Sequence, residues 1–439
     1  MKSFWIITSI LFLCILQMVG DHEYRGDDVS YTGGTPGFDE TTGERRGGWD
    51  QESDVYSEDV KEVQDSKLLA VRRPVIPGSP IRGLTPTEFE RFRLGREDFL
   101  EVETAEEGLG PAYNGTSCGG CHSIPAVGGT STISEIRAGY KDELGNFTAL
   151  YGGTLFHLLS TPPHRAQVMI PPEANIIARR VPIPLFGAGL VEAIPDDTII
   201  SLEDPEDSNQ DGISGRAARI IDIGTTFPRI GRFGWKSQHA TLLAFGADAY
   251  RNEMGITNAL FPHELALGVD PEVLKLADPR PALEDVRERT TGLRGIDNFE
   301  SFMKFLAPLE RGPITSSVIK GDEIFKIIGC ENCHIRQLKT GPSHNPLFDR
   351  KAVNLFSDLL LHDIGTGDGI PQEAALSTEI RTPSLWGLRF RRPFLHNGSA
   401  QSLHDAIASH KNEALSSGQQ FLSLTSEQKS DLLSFLNSL

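Results

Sequence analysis

Apolar residues are distributed along this chain in three ways. Residues 4–19 form a near-continuous apolar run behind a lone basic residue, Lys2. Residues 21–66 are rich in Asp, Glu, Gly, Ser and Thr and offer little that could pack, so they read as a flexible acidic linker, closed by the Pro-rich stretch 74–86. From Thr85 onward the apolar positions become periodic. Thr85-Pro86-Thr87-Glu88 is a capping box with proline at the first helical position, and Phe89, Phe92 and Phe99 then fall on one helical face. Residues 146–200 carry Tyr-Gly-Gly, two Pro-Pro pairs and short runs such as Asn175-Ile176-Ile177-Ala178, which predict short strands and turns. Helix-like patterning with many charges returns over 257–310, and Ile324-Phe325 and Ile327-Ile328 keep helical spacing. A second capping box, Thr425-Ser426-Glu427-Gln428, opens a closing helix with Leu432, Phe435, Leu436 and Leu439 on one face. The pattern predicts a mainly α protein with a strand-and-loop insertion.

Two strings stand out against this background: Cys118-Gly119-Gly120-Cys121-His122 and Cys330-Glu331-Asn332-Cys333-His334. Cys-x-x-Cys-His is the attachment signature of a c-type haem. Two cysteines at this spacing reach the two vinyl groups of one porphyrin, and the following imidazole ligates the iron. A Gly-rich approach, Gly108-Leu109-Gly110-Pro111, leads to the first string, and the helically spaced Ile324-Phe325 and Ile327-Ile328 precede the second. A four-cysteine zinc ribbon needs its pairs much closer in sequence and does not explain the histidines, and a thioredoxin-like dithiol expects one pair. The remaining cysteine, Cys14, lies in the apolar leader.

The chain has 439 residues and a formal net charge of −18, enough length for two or three domains and too acidic for a nucleic-acid partner. The leader reads as an export signal ending near Gly20, with an uncleaved membrane anchor as the alternative. Export and covalent haem together predict a periplasmic protein.

The second axial position decides what a haem does: a strong ligand gives an electron-transfer centre, and a vacant or labile site admits peroxide or substrate. In Ser402–His410, Leu403, Ile407 and His410 share a helical face, so His410 is the expected second ligand beside His334; His404 is rotated toward solvent. For the first haem no ligand stands out. His157, His164, His239, Met169 and Met254 are candidates, each also explicable as core or surface. The first iron is thus the one expected to be open.

From about residue 84 to its end, the chain resembles the bacterial di-haem oxidoreductases, within the larger group that holds the di-haem cytochrome c peroxidases and the maturation enzyme of methylamine dehydrogenase. The matching blocks are Gly108–His122, Gly187–Arg216, Gly231–Lys236, Met254–Thr257, Ser357–Gly365 and Arg381–His410. The resemblance implies two cytochrome c-like domains with the haems near their interface. It makes His122 and His334 the proximal ligands. In typical peroxidases of the group a methionine ligates the second haem at a fixed spacing after an aromatic-x-His-x-Gly string; counted from His396, that spacing reaches His410. Histidine in place of methionine implies a lower potential. Those enzymes also carry a displaceable histidine soon after the first motif, and this chain has none there.

Three further readings follow. Glu192, alone in the apolar stretch Gly189–Pro195, is a candidate acid–base group, because peroxide cleavage needs a proton carrier and the group's peroxidases use a glutamate; a structural salt bridge is the alternative. Asp207, Asn209 and Asp211, followed by Gly212, match the first half of an EF-hand loop but lack the late glutamate, so a calcium ion stands against a metal-free Asp/Asn/Gly turn. Trp235 and Trp386 are candidate electron relays between the haems, or core.

The organisation expected is a signal peptide at 1–20, an acidic linker at 21–83, an N-terminal cytochrome c-like domain with its insertion at 84–312, and a C-terminal cytochrome c domain at 313–439. The function expected is a peroxidase-like enzyme with two covalent c-type haems. It would take electrons from a redox partner protein and meet a small oxidant such as hydrogen peroxide. The alternatives are a di-haem electron carrier without chemistry of its own, and an oxidase of a partner protein or sulfur compound.

Overall fold

The computed structural model describes residues 74–161, 169–270, 272, 274, 285–289 and 291–439. The leader, most of the acidic linker, Cys14 and His164 lie outside them. Helix α1 (Pro86–Leu100) begins at the Thr85 capping box, with both reciprocal hydrogen bonds formed. Phe92 and Phe99 are buried on its inner face. They pack on α5 (Gly295–Phe305), which presents Phe299 and Phe302. The two helices meet at Gly95, where a Cβ would lie 2.1 Å from the Asn298 carbonyl oxygen. Between them in sequence come α2 (Cys118–Cys121), α3 (Ala188–Glu192) and α4 (Leu242–Met254).

The same construction recurs further along the chain. Helix α6 (Ser316–Ile327) crosses α9 (Ser426–Leu436), the helix opened by the Thr425 capping box. Their contact point is Gly321, where a Cβ would lie 2.0 Å from the Asp431 carbonyl oxygen. Phe325 packs on Phe435 at 5.2 Å between ring centroids. Fully burying one such phenylalanine contributes about 1.5–3 kcal/mol, so each aromatic crossing is a major source of local stability. Helices α7 (Leu403–Ala408) and α8 (Leu415–Ser423) complete this second core. The first core also draws on Leu338, Phe348 and Leu355, well past α5.

An antiparallel sheet leaves the first helix pair. Strand β1 (Glu135–Lys141) pairs with β2 (Phe147–Thr148), β3 (Leu155–Phe156) and β4 (Ile176–Arg180), with Arg137 opposite Ala178. A hairpin of β5 (Ala218–Ile221) and β6 (Pro228–Gly231) follows. The expectation of strands and turns over 146–200 holds only as far as β4. Beyond it, α3 and a further turn of helix at Asp196–Ile200 form instead. Gly187, with φ at 73°, and Pro195 sit at their starts, and short helices with such starts leave little periodicity to read. The region 257–270 is irregular rather than helical. Among the described residues, no helix is long and apolar enough to cross a membrane.

Candidate haem sites

Each Cys-x-x-Cys-His string lines its own cavity. The first takes Cys118, Cys121 and His122; the second takes Cys330, Cys333 and His334. The four cysteines are free thiols divided between two cavities, so they do not assemble into one zinc site. Burial pushes the Cys118 and Cys330 thiols up to about 12, the opposite of the lowered value that a reactive dithiol needs.

The histidines are prepared as ligands. His122 Nδ1 lies 2.8 Å from the Gly129 carbonyl, and His334 Nδ1 lies 3.0 Å from the Phe356 carbonyl. His410 Nδ1 lies 2.8 Å from the Ala406 carbonyl. A carbonyl accepts only from a protonated nitrogen, so all three rings keep a lone pair on Nε2. Burial holds them neutral, with His334 lowered to about 4 and His122 and His410 lowered as well. Phe99 and Phe325, from the two crossings, stand beside His122 and His334 at 5.9 and 6.4 Å between ring centroids. These cavities, thiol pairs and oriented imidazoles fit two haems.

Four histidines, His334, His362, His396 and His410, line the second cavity. His410 follows α7 directly, and Leu403, Ala406, Ile407 and His410 all line this cavity, whereas His404 is turned outward onto Phe421. A polar clasp, absent from the sequence reading, secures this segment. Glu413 accepts from Ser214 N, Asp363 N and His362 Nδ1, at 3.0, 2.7 and 2.7 Å. The other ring nitrogen, His362 Nε2, lies 2.9 Å from Asp358. Burial opposes charge on His362, but the two carboxylates prevail and raise it well above the ordinary value. Cys333, Asp358 and His362 also lie close enough to hold a metal ion, yet both His362 nitrogens are spent on carboxylates.

The first cavity has no histidine opposite His122 among the described residues. His157 is buried outside the lining, with Nε2 at 2.7 Å from the Asn252 carbonyl. His239 pairs with Asp248 at 2.9 Å, and Met169 is exposed. Met254 does line the cavity, but its sulfur is 4.0 Å from the Cys118 sulfur, at the attachment edge.

Glu192 is not among the lining residues. Its carboxylate accepts from Leu242 N at 2.7 Å, at the start of α4, and burial raises its proton affinity. That contact caps the start of α4 and sets Glu192 apart from the carboxylates that line the first cavity. The carboxylates in the first cavity are Glu135, Asp248 and Glu253. Glu135 and Glu253 lie close enough to influence each other's protonation. Despite burial, Arg137 at 2.7 Å and Arg180 at 4.0 Å hold Glu135 below the usual carboxylate range. Burial, reinforced by Glu135, pushes Glu253 well above it, and Asn114 Nδ2 donates to Glu253 at 2.9 Å. The sequence signal for Glu253 was its place directly before the Met254–Thr257 block.

Trp235 lines both cavities and donates from its indole N–H to the Val181 carbonyl at 2.8 Å; Trp386 lines neither. In the candidate calcium loop, Asp207 accepts from Gly212 N, Asn209 from Asp211 N, and Asp211 from Ile213 N. The bonds to Asn209 and Asp211 are Asx turns, and the bond to Asp207 spans five residues to close the loop.

The family model described as "Di-haem oxidoreductase, putative peroxidase" matches residues 171–439. The methylamine utilization protein MauG of Methylophilus methylotrophus is 28% identical over 153 residues, covering 33% of this chain and 42% of that protein. The match therefore spans less than half the length of that relative. Among solved structures, hydrazine synthase of Kuenenia stuttgartiensis is similar at 14% identity, covering 86% of this chain and 98% of that chain with a TM-score of 0.39. The diheme peroxidase BthA of Burkholderia thailandensis E264 is similar at 16% identity, covering 84% and 89% with a TM-score of 0.38.

Proposed function

The chain belongs to the di-haem oxidoreductase family, and from that premise we propose a division of labour between two covalently held c-type haems. Cys118, Cys121 and His122 hold one; Cys330, Cys333, His334 and His410 hold the other. Each sits in a cytochrome c-like half, residues 84–312 and 313–439, built on a glycine-centred helix crossing. When bound, haem supplies one-electron transfer at a six-coordinate iron and a free coordination position for peroxide at a five-coordinate one.

The observation that carries this reading is the contrast between cavities: the second is lined by His410 as well as His334, and the first holds buried carboxylates and no histidine besides His122 among the described residues. In the first cavity, Glu135 and Glu253 have proton affinities driven apart, the usual mark of an acid–base pair. Glu253 keeps its proton at neutral pH and delivers it to the leaving oxygen of peroxide; ionised Glu135 then accepts a replacement proton from solvent and passes it on to Glu253. Reduction of peroxide to two waters consumes two electrons and two protons. The electrons arrive singly from a redox partner protein by way of the second site, and Trp235 spans the gap. The exported chain works in the periplasm, with residues 1–20 as its leader and 21–83 as a linker.

Absorption and EPR spectra of the oxidised protein test the division. One high-spin and one low-spin signal of equal intensity are expected. Two low-spin signals, unmoved by reduction or peroxide, would favour the plain electron carrier.

A further inference from the structure

The buried arginines fall into two groups. Arg137 is paired with Glu135, Arg180 with Asp368 at 2.7 Å, and Arg232 with Asp196. Arg381 and Arg391 are as deeply buried, at 4% and 6% exposure, yet among the described residues neither forms an ion pair. Arg381 donates only to carbonyls, Gly234 O at 2.9 Å and Thr382 O at 3.1 Å. Arg391 makes no side-chain hydrogen bond among these residues, its buried Nε has no partner, and its guanidinium lies 5.0 Å from the centroid of the Trp235 ring. Burial lowers both groups to about 10, so both remain charged at neutral pH. An uncompensated buried charge is strongly unfavourable, and a cation–π contact offsets only a part of that cost. A missing anion is the economical explanation.

Both residues line the second cavity and also a smaller one that includes Phe186 and Trp386. We propose that Arg381 and Arg391 form an anion seat for a carboxylate, and that its occupant is a propionate of the haem held by Cys330, Cys333 and His334. Two guanidiniums suit a carboxylate's two oxygens, and the seat faces the cavity in which that porphyrin is expected. The inference rests on the haem reading above. A soluble carboxylate or other small anion would satisfy the same chemistry, and the experiment separates the two sources.

The holoprotein is purified and its haem counted by pyridine haemochrome; fewer than two haems per chain would defeat the underlying reading, not this one alone. With two present, Arg391→Met and Arg391→Lys are compared by redox titration followed spectroscopically, over a pH series. Arg391→Met is expected to keep both haems, to lower the midpoint potential of the low-spin haem, and to add a pH-dependent step to it as the propionate loses its partner. Arg391→Lys should restore most of the shift. An unchanged potential and pH profile in Arg391→Met would overturn the proposal. Adding chloride, acetate or phosphate to wild type should leave the spectrum and potential unmoved, and a saturable response would assign the seat to a soluble anion instead. If Arg391→Met does not accumulate, a crystal structure of the wild-type holoprotein decides: a propionate oxygen within hydrogen-bond distance of Arg391 supports the seat, and none overturns it.

Discussion

The two motif cavities share their framework and differ in their walls. Each is set beside a helix pair that touches at a glycine, Gly95 on Asn298 and Gly321 on Asp431. Each has a phenylalanine from that crossing beside the motif histidine. Besides that histidine, the second cavity is lined by His410 and the first by Glu135, Glu253 and Arg137. On the proposed reading, the framework binds the group and the remaining wall selects its chemistry.

The comparison can be broken most completely at His410. His410→Ala should convert the low-spin signal to high-spin and make the two sites spectrally alike, as EPR would register; an unchanged low-spin signal would remove His410 from its role. Next comes the carboxylate wall. Glu253→Gln should lower peroxide turnover by about 10²–10⁴-fold, the usual scale for a proton-transferring group, with both haem spectra intact. Glu192→Gln should leave turnover unchanged and cost about 1 kcal/mol of stability through its weakened cap, measured by denaturant titration. The reverse outcome would return the acid–base role to Glu192.

The pH profile sharpens the same point. Glu253 binds its proton more tightly in the native state than in the unfolded chain. Its contribution to stability is therefore full below the ordinary carboxylate range and is lost as pH rises through the raised native value. Turnover should fall over that upper limb, because the donor proton leaves, and Glu253→Gln should abolish the limb.

The smallest expected effects test the framework. Gly321→Ala should destabilise by about 1–3 kcal/mol: helix propensity favours alanine by only about 1 kcal/mol, and the added methyl would strike the Asp431 carbonyl. Gly95→Ala should behave alike if the crossings are equivalent, which paired thermal unfolding would show. Trp235→Phe should slow electron passage between sites in stopped-flow while costing roughly 1 kcal/mol for the lost bond to Val181.

Much of this was legible from spacing. The Cys-x-x-Cys-His strings, the Thr85 and Thr425 caps and the helical face carrying His410 are local patterns, and local patterns survive in a linear reading. The polar walls are not local. Glu135 on β1 meets Glu253 at the end of α4 only because the sheet folds back over the first cavity. Arg391 sits in a run with Arg389 and Arg392 that reads as ordinary solvated charge, and nothing in the run marks the one that is buried. Glu192 shows the converse: an isolated acid in an apolar stretch signals burial, and burial alone does not distinguish a helix cap from a proton carrier.

The Glu413 clasp carries a last consequence. By fastening Ser214, His362 and Asp363 around the turn beyond α7, it leaves the neighbouring imidazole no easy way to swing aside. Exogenous gases such as carbon monoxide should therefore saturate at one equivalent per chain, however fully the protein is reduced.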